Sequence, residues 1–386
     1  MKIAYIGDFI NHGKFLVPTG TSLVLLLSEI PDVEVIDVYC PKLNAETESF
    51  KEPEKTKIIE SYEYDNPLSI VKLLHVRAKY YDKIIFNIMP TAYGNSNLSN
   101  LAGLLIPIVL GIFFRKNNIE VIYHNSVYTN DISKLGYDSY YDKLRSLILG
   151  LVEREIFKSL RTFVFLQRYK DKITKKIGKN KLRVLNGRYL EAMTTVYLNG
   201  INCHDYFKLS RKGQVPVILM HGSWGPQKNI ELGLSALSEL RKEGLNFDLI
   251  ISGAINHHFE EYEKQFNLLL EKSNEISKQY LGFVKEVDIL NLFSRADLLI
   301  LPYNTPGGRS AVLEQAIFFE VPTIAICFPE YREQTKGIDF VRLIDSGDSL
   351  KLIAKEILRS SPVRKFKINV KEKMQEAVNN IQKLLE

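Results

Sequence analysis

The stretch Asp297–Ile326 reads DLLILPYNTPGGRSAVLEQAIFFEVPTIAI and predicts a strand, a glycine loop, a helix and a second strand. The apolar run Asp297–Leu301 ends at Pro302, and Gly307 and Gly308 permit a tight turn with close backbone approach to a ligand. A helix that starts where a strand has just ended directs its free N–H groups and positive dipole end beyond the strand tips. The stretch therefore predicts an α/β sheet with a site for a phosphate or a sugar at its edge.

Strand-like and helix-like segments alternate along the N-terminal half. The expected strands are Lys2–Ile6, Val33–Tyr39, Lys83–Ile88, Glu120–His124, Thr162–Leu166 and Leu182–Leu185. The expected helices include Ser22–Ile30, Leu98–Phe114 and Lys143–Leu160. Residues 44–66 are polar and without a period, so we expect an excursion at the domain edge. Such alternation predicts a parallel sheet covered by helices.

The pattern restarts after a polar linker, Asn199–Pro216. The second series is expected to contain strands Val217–Met220, Phe247–Ser252 and Leu281–Val284, and helices Ile230–Arg241, Phe259–Ser273 and Val287–Phe293. Two such series predict two facing Rossmann-like domains, with strand ends presented to a shared cleft. We place the domains at residues 1–207 and 208–366, and a C-terminal helix at 367–386.

Composition and charge exclude several classes of protein. The 386 residues carry a net charge of +6, with 45% hydrophobic and 25% charged residues, as in a soluble globular protein. The sequence has no basic block with interleaved aromatic residues, which is the pattern that predicts nucleic-acid binding. The three cysteines have no metal-ligand spacing, and the N-terminus enters a strand without a signal peptide, so we expect a cytoplasmic protein.

The segment around Glu314 resembles the nucleotide-sugar site of retaining glycosyltransferases of GT-B fold, in particular glycosyltransferase family 4. That family has two glutamates in a Glu-Gly-Phe-Gly-x-x-x-x-Glu-Ala pattern. The second falls on Glu314, which implies contact with the donor ribose, and the first falls on Pro306. The resemblance covers nearly the whole chain, and in such proteins the terminal helix often packs back on the first domain.

A second motif of this family, Gly-Arg-Leu-x-x-x-Lys-Gly, is matched in part by Gly222, Ser223 and Lys228. The resemblance implies that Lys228 contacts the diphosphate, whereas the family's arginine falls on Ser223. Arg309 is a hypothetical replacement for that lost charge, because a guanidinium binds phosphate through two donors. The alternative is an exposed loop arginine. Ser310 is expected to cap the following helix or to hydrogen-bond the donor.

Three further segments resemble the family. Phe283 and Val284 lie in a predicted strand end that would hold the nucleotide base, although a plain core strand fits the same residues. His124 follows an apolar strand, and the resemblance implies contact with the donor sugar or the reacting centre. Thr19 and Gly20 precede an apolar helix and resemble a loop facing phosphates and acceptor, but they also suit simple helix capping.

These motifs predict a glycosyltransferase of glycan biosynthesis that moves a sugar from a nucleotide-diphosphate donor to an acceptor with retention. The acceptor is a glycan, a lipid-linked glycan or a protein. No Asp-x-Asp pair is present to hold a divalent metal, so we expect no cofactor and no metal. Two alternatives stay open: a non-catalytic GT-B protein that binds a nucleotide or a partner, and a sugar-nucleotide epimerase.

Two apolar segments with basic neighbours raise the question of a membrane. Leu101–Phe114 precedes Arg115 and Lys116, and Lys143–Lys158 combines apolar and basic residues. This pattern is typical of peripheral binding at an anionic membrane face, here the inner one. Packing of both segments on the first domain's sheet is the alternative.

Overall fold

The computed structural model describes the chain except for residues 8–9, 12–14, 17, 42–51, 63–65, 67–68, 72–77, 89–96, 114–117, 130–139, 202–205, 211–214, 257–258, 307 and 361–364. Contacts divide it into two compact units, residues 1–194 with 374–386, and residues 195–373.

Seven strands of the first unit form one parallel sheet, and its central strands are the nearly continuous apolar runs typical of a sheet covered on both faces. They are β1 (Lys2–Gly7), β4 (Val35–Pro41), β5 (Thr56–Tyr62), β6 (Lys83–Ile88), β7 (Ile119–Tyr123), β8 (Arg161–Val164) and β9 (Leu182–Val184). The spatial order is β5-β4-β1-β6-β7-β8-β9. Two short strands, β2 (Ile10–Asn11) and β3 (Phe15–Leu16), pair with each other.

Helices alternate with these strands; the first and the last of them are buried on nearly all sides, and the other three bury one face each. They are α1 (Pro18–Ser28), α2 (Asn97–Phe113), α3 (Tyr140–Ser159), α4 (Gln167–Ile177) and α5 (Leu190–Leu198). The core of this unit joins strand residues such as Phe86 and Val121 to Leu110 of α2, Phe157 of α3 and Ile173 of α4.

The second unit repeats the design with a parallel sheet in the order β13-β12-β11-β14-β15-β16. Its strands are β11 (Val217–His221), β12 (Asp248–Ser252), β13 (Lys278–Tyr280), β14 (Leu298–Leu301), β15 (Thr323–Ile326) and β16 (Val341–Ile344). Its helices are α6 (Ile230–Lys242), α7 (Tyr262–Lys272), α8 (Glu286–Arg295), α9 (Ala311–Phe318), α10 (Pro329–Gln334) and α11 (Gly347–Ser360). The chain order reverses between β11 and β14, which places a topological switch point there.

The two segments that join the units contain a strand pair and a helix, and the polarity of the first segment did not predict its strand. A strand β10 (Tyr206–Ser210) lies within the expected linker and pairs antiparallel with β17 (Lys365–Asn369). Helix α12 (Val370–Gln382) follows, and its residues from Met374 onward belong to the first unit. The contact boundary lies at Thr194/Thr195, earlier than the 207/208 boundary expected from the polar stretch.

Two expected segments differ from the structure. Leu281–Val284 is not a strand: β13 ends at Tyr280, and Gly282 has a positive φ of 63° that turns the chain. Residues 44–66 are not wholly irregular, because Thr56–Tyr62 forms the edge strand β5 beside β4. An edge strand of mixed polarity shows little of the apolar continuity that identifies central strands.

Helices α2 and α3 are buried on one side only. Leu104, Ile106 and Leu110 of α2 are in the core, whereas Ile112 and Phe113 are exposed. No helix among the described residues is long and apolar enough to cross a bilayer.

Candidate functional site

The switch point of the second sheet brings two loops together. Gly222 follows β11, and Tyr303 follows β14 two residues after Leu301. The Tyr303 hydroxyl donates to the His221 carbonyl at 3.1 Å, and a Cβ at Gly222 would lie 2.9 Å from that hydroxyl. A residue larger than glycine at position 222 would therefore displace the Tyr303 hydroxyl from the His221 carbonyl.

The turn after Gly222 is fastened to the same loop. Pro226–Lys228 forms a 3-10 turn, and α6 begins only at Ile230. The Asn304 amide nitrogens, of backbone and side chain, donate to the carbonyls of Gln227 at 3.1 Å and Pro226 at 3.3 Å. Ser223 is exposed. The loops after β11 and β14 thus form one surface at the strand tips.

Lys228 lies over an aromatic ring rather than beside an acid. Its Nζ is 3.7 Å from the centroid of the buried Tyr303 ring, and no carboxylate of the described residues pairs with it. Burial lowers the pKa of Lys228 to about 8. An ammonium held with little hydration gains strongly from an incoming anion.

His221, seven residues earlier on β11, is a neutral neighbour of this lysine. Its Nδ1 lies 2.8 Å from the Ser252 Oγ, and burial, with the charge of Lys228 as a smaller cause, lowers the pKa of His221 to about 4. It does not compete with Lys228 for an anion at neutral pH.

Glu314 is buried in the first turn of α9, the helix that Ser310 caps. The Ser310 Oγ accepts from the Leu313 backbone N–H at 3.2 Å. The Glu314 Oε1 accepts from the Gln334 Nε2 at 3.1 Å and lies 3.6 Å from the Arg309 Nε. Gln334 in turn accepts from the Ser310 backbone N–H at 3.0 Å. The carboxylate is therefore oriented from two sides.

Arg309 forms an ion pair with Glu314, a pairing that the sequence did not suggest. Its predicted role toward phosphate stays a prediction. Gly308 is buried beside it, and Gly307 lies outside the described residues. Gln334 and Tyr303 were not expected at the site, since neither has a motif. Gln334 lies twenty residues after Glu314 and reaches it only through the packing of α10.

Phe283 and Val284 lie beyond β13 in a turn. The Gly282 carbonyl accepts from the Gly253 backbone N–H at 2.6 Å, which ties this turn to the end of β12. Phe283 is 62% exposed, so much of its apolar ring faces solvent at the same edge as the two loops. An exposed ring at this place can cover a planar ligand.

In the first unit, His124 follows β7 and is held by a buried amide. Its Nε2 lies 2.6 Å from the Asn87 Oδ1 at the end of β6, and its ring is 5.0 Å from the Phe165 ring. The Asn87 Nδ2 is buried and has no hydrogen-bond partner among the described residues. That donor and His124 together offer polar contacts to a ligand at the strand tips.

Thr19 lies inside α1 rather than in a free loop. Its hydroxyl donates to the Glu191 carboxylate at 2.8 Å, and Gly20 is buried. The bond ties α1 to α5, and the predicted role of this segment toward phosphates and acceptor stays a prediction.

A buried glutamate that sequence reasoning missed organises the loop after His124. Glu153 of α3 accepts from the Tyr123 hydroxyl at 2.9 Å, the Ser126 hydroxyl and the Val127 backbone N–H. Burial raises the pKa of Glu153 to about 7. Its signal in the sequence is an acid on the apolar side of the helical stretch LILGLVEREIF.

No group of three or more His, Cys, Asp or Glu in the described part of the chain is placed to hold a metal ion.

Residues 204–364 match the family model described as "Glycosyl transferases group 1". No curated protein matches the chain.

Among solved structures, WaaG, a glycosyltransferase involved in lipopolysaccharide biosynthesis, has a TM-score of 0.59 at 16% identity, covering 98% of this chain and 94% of WaaG. Sucrose-phosphate synthase from Thermosynechococcus elongatus has a TM-score of 0.61 at 13% identity, covering 100% and 94%. Anabaena HepE in complex with UDP-glucose has a TM-score of 0.59 at 12% identity, covering 100% and 98%. The expected fold is confirmed: the chain has the two-sheet α/β fold of the GT-B glycosyltransferases, and its residues 204–364 match the glycosyl transferases group 1 model.

Proposed function

We propose that the chain transfers a sugar from a nucleotide-diphosphate donor to an acceptor, with retention at the anomeric carbon, as in glycosyltransferase family 4. The observation that carries the proposal is the buried carboxylate of Glu314, oriented by Gln334 and Arg309 at the switch point. Ribose hydroxyls are the donors that such a carboxylate suits, because each can form a charge-assisted hydrogen bond. The complex of HepE with UDP-glucose supports the choice of donor class.

Lys228 is the proposed diphosphate ligand. Its ammonium is half-buried, lies over Tyr303 and has no ion pair within the described residues, so a phosphate would meet a poorly hydrated cation. Together with loop N–H groups it would stabilise the leaving diphosphate without a metal ion. His124 is the proposed catalytic side chain, and Asn87 fixes its ring.

We further propose that the acceptor is lipid-linked and that the first unit contacts an anionic membrane surface. Helix α3 exposes Leu147 and Leu151, at 64% and 56%, and carries the exposed basic residues Lys143 and Arg154. An apolar groove of about 340 Å³ lies between α2 and α3. Exposed apolar side chains among cations favour insertion between anionic headgroups. WaaG acts in lipopolysaccharide biosynthesis, which is compatible with such an acceptor.

The proposal for the donor site is tested by calorimetric titration of the chain with UDP-, GDP- and ADP-glucose and the corresponding nucleoside diphosphates. Glu314→Gln should weaken binding about tenfold to a hundredfold, the effect of losing charge-assisted bonds to ribose. Glu356→Gln on α11, an exposed acid, is the matched control and should bind like the parent. If Glu314→Gln binds every nucleotide with the affinity of the parent, Glu314 does not contact the ribose.

A further inference from the structure

A basic cavity lies at the edge of the first sheet opposite to His124. Its volume is about 790 Å³, within the range of small-molecule sites. Six of the described residues lining it are cationic: Lys83, Arg161, Lys170, Lys179, Lys181 and Arg183. The lining has one acid, Glu386. We call this cavity the basic basin.

The basin is remote from the proposed reaction. Lys83 and Arg161 begin β6 and β8, whereas His124 follows the end of β7. Because these strands are parallel, the basin and His124 lie at opposite sheet edges, separated by about 16 Å for a five-residue strand. The basin is therefore a site apart from His124.

Part of the cationic charge is already balanced. The buried Glu120 pairs with Lys83 at 3.0 Å and with Arg161, and the Lys181 Nζ donates to the Ser159 carbonyl at 2.9 Å. Lys170, Lys179 and Arg183 form no ion pair with any described residue. Stabilisation of a helix C-terminus does not explain these cations, because Lys170 lies in the first turn of α4 and Arg183 and Lys83 lie on strands. The residual positive charge fits an anionic ligand.

The other lining groups select the kind of anion. The described lining has no aromatic side chain on which a nucleic-acid base could stack, and its one large apolar residue, Leu182, is buried. A concave cavity without exposed apolar side chains does not suit a bilayer surface. The Thr174 Oγ1 accepts from the Asn180 Nδ2 at 2.9 Å and keeps its own hydrogen, which it can donate to a sugar hydroxyl.

We propose that the basic basin binds a glycan that carries several anionic groups, at a distance from His124. The choice of a glycan rests on the proposed function. Such a site would hold an anionic segment of an acceptor or product chain. It would thereby select acceptors by their charge.

The test is calorimetric titration of the full chain at 50 and 200 mM salt with tetragalacturonate, 6-phosphorylated maltotetraose, maltotetraose and tripolyphosphate. We expect salt-sensitive binding of at least one charged glycan and none of neutral maltotetraose. Lys170→Gln with Arg183→Gln should weaken that binding by roughly tenfold. The single change Lys179→Glu, on an exposed residue, tests the same basin if the double variant folds poorly.

Lys264→Gln with Lys272→Gln, two exposed positions on α7, removes the same charge elsewhere and should leave glycan binding unchanged. Three results would each overturn the proposal. They are equal losses of glycan binding in both double variants, no binding of either charged glycan, and tighter binding of tripolyphosphate than of any glycan. The same proteins are titrated with nucleoside diphosphates. A failure there would count against the donor site, and not against the basic basin.

Discussion

Binding of a diphosphate at Lys228 is coupled to protonation of the lysine. Because burial lowers its pKa from 10.5 to about 8, it is charged below pH 8 and neutral above. A diphosphate favours the ammonium form, so binding above pH 8 must first take up a proton.

We therefore expect the affinity of the parent for a nucleoside diphosphate to fall by up to about tenfold per pH unit above pH 8. Lys228→Arg remains charged, so its affinity should stay level between pH 7 and 9.5. Titration calorimetry at several pH values measures both. Parallel profiles for the two proteins would show that Lys228 is not the group that responds to the ligand.

Glu153 ties the stability of the His124 loop to pH. Burial raises its pKa from 4.5 to about 7, so the native state holds the proton more tightly than the unfolded chain. Between about pH 4.5 and 7 the native state binds more protons. The free energy of unfolding therefore falls as pH rises through this window, by up to about 3 kcal/mol, and the contribution is constant above it.

Glu153→Gln cannot titrate and should lose this part of the pH dependence in urea unfolding measured from pH 4.5 to 8. Glu155→Gln, an exposed neighbour on α3, should retain it. If Glu153→Gln shows the parent's slope, the carboxyl group does not titrate in that window.

At the scale of single residues, the sequence predicted where site residues lie along the chain, but not which side chains hydrogen-bond to them. Lys228 and Glu314 were found because each follows a strand at a motif position. Gln334 and Asn87 could not be found, since they reach Glu314 and His124 through packing between distant segments. Arg309 was assigned to phosphate, but its ion pair with Glu314 depends on loop geometry that composition does not encode.

Among the elements, the ends of β11 and β12 approach so closely that side chains are excluded. A Cβ on Gly253, whose φ is 103°, would lie 1.8 Å from the Gly222 carbonyl oxygen. We expect Gly253→Ala to destabilise the fold by about 3 kcal/mol or more, because backbone strain and a backbone clash add together.

Gly244→Ala is the matched control, because Gly244 has a φ of 85° and a Cβ added there would meet no atom within 4 Å. It should cost only about 1–2 kcal/mol. Urea unfolding of both variants measures the difference. Equal losses would mean that the backbones can separate at β11 and β12 without cost.

Elements were predictable where the apolar pattern is continuous. The central strands, such as β6, β11 and β14, are buried on both faces and were expected near their observed bounds. The weak cases are β5 at a sheet edge, β10 in a polar stretch and the turn after Tyr280. Strand pairing determines β5 and β10, and a positive φ at Gly282 determines the turn. Neither produces a periodic pattern of apolar residues in the sequence.

For the whole molecule, the exposed face of α3 predicts attachment to anionic vesicles. In co-sedimentation at low salt, the parent should pellet with vesicles containing phosphatidylserine and stay in the supernatant with neutral ones, because both apolar insertion and charge are needed. Leu147→Gln with Leu151→Gln should abolish pelleting. Leu268→Gln with Leu352→Gln removes exposed leucines from the second unit and should not. A parent that remains in the supernatant with anionic vesicles would indicate a soluble acceptor.

The sequence predicted two α/β units because the strand–helix alternation restarts, and the structure has two parallel sheets. The unit boundaries are harder to predict, because each lies inside a helix. The first, Thr194/Thr195, is in α5, and the second, Lys373/Met374, is in α12. A helix that runs through a boundary keeps its period on both sides of it.

Sugar transfer from a nucleotide donor without a metal can be measured in one assay. The chain is incubated with radiolabelled nucleotide sugars and a lipid extract, with excess chelator present, and label in the lipid and glycan fractions is counted. We expect incorporation from one donor, lost in His124→Ala and greatly reduced in Glu314→Gln. Nucleotide binding with no incorporation from any donor would contradict the claim and favour a non-catalytic nucleotide-binding protein.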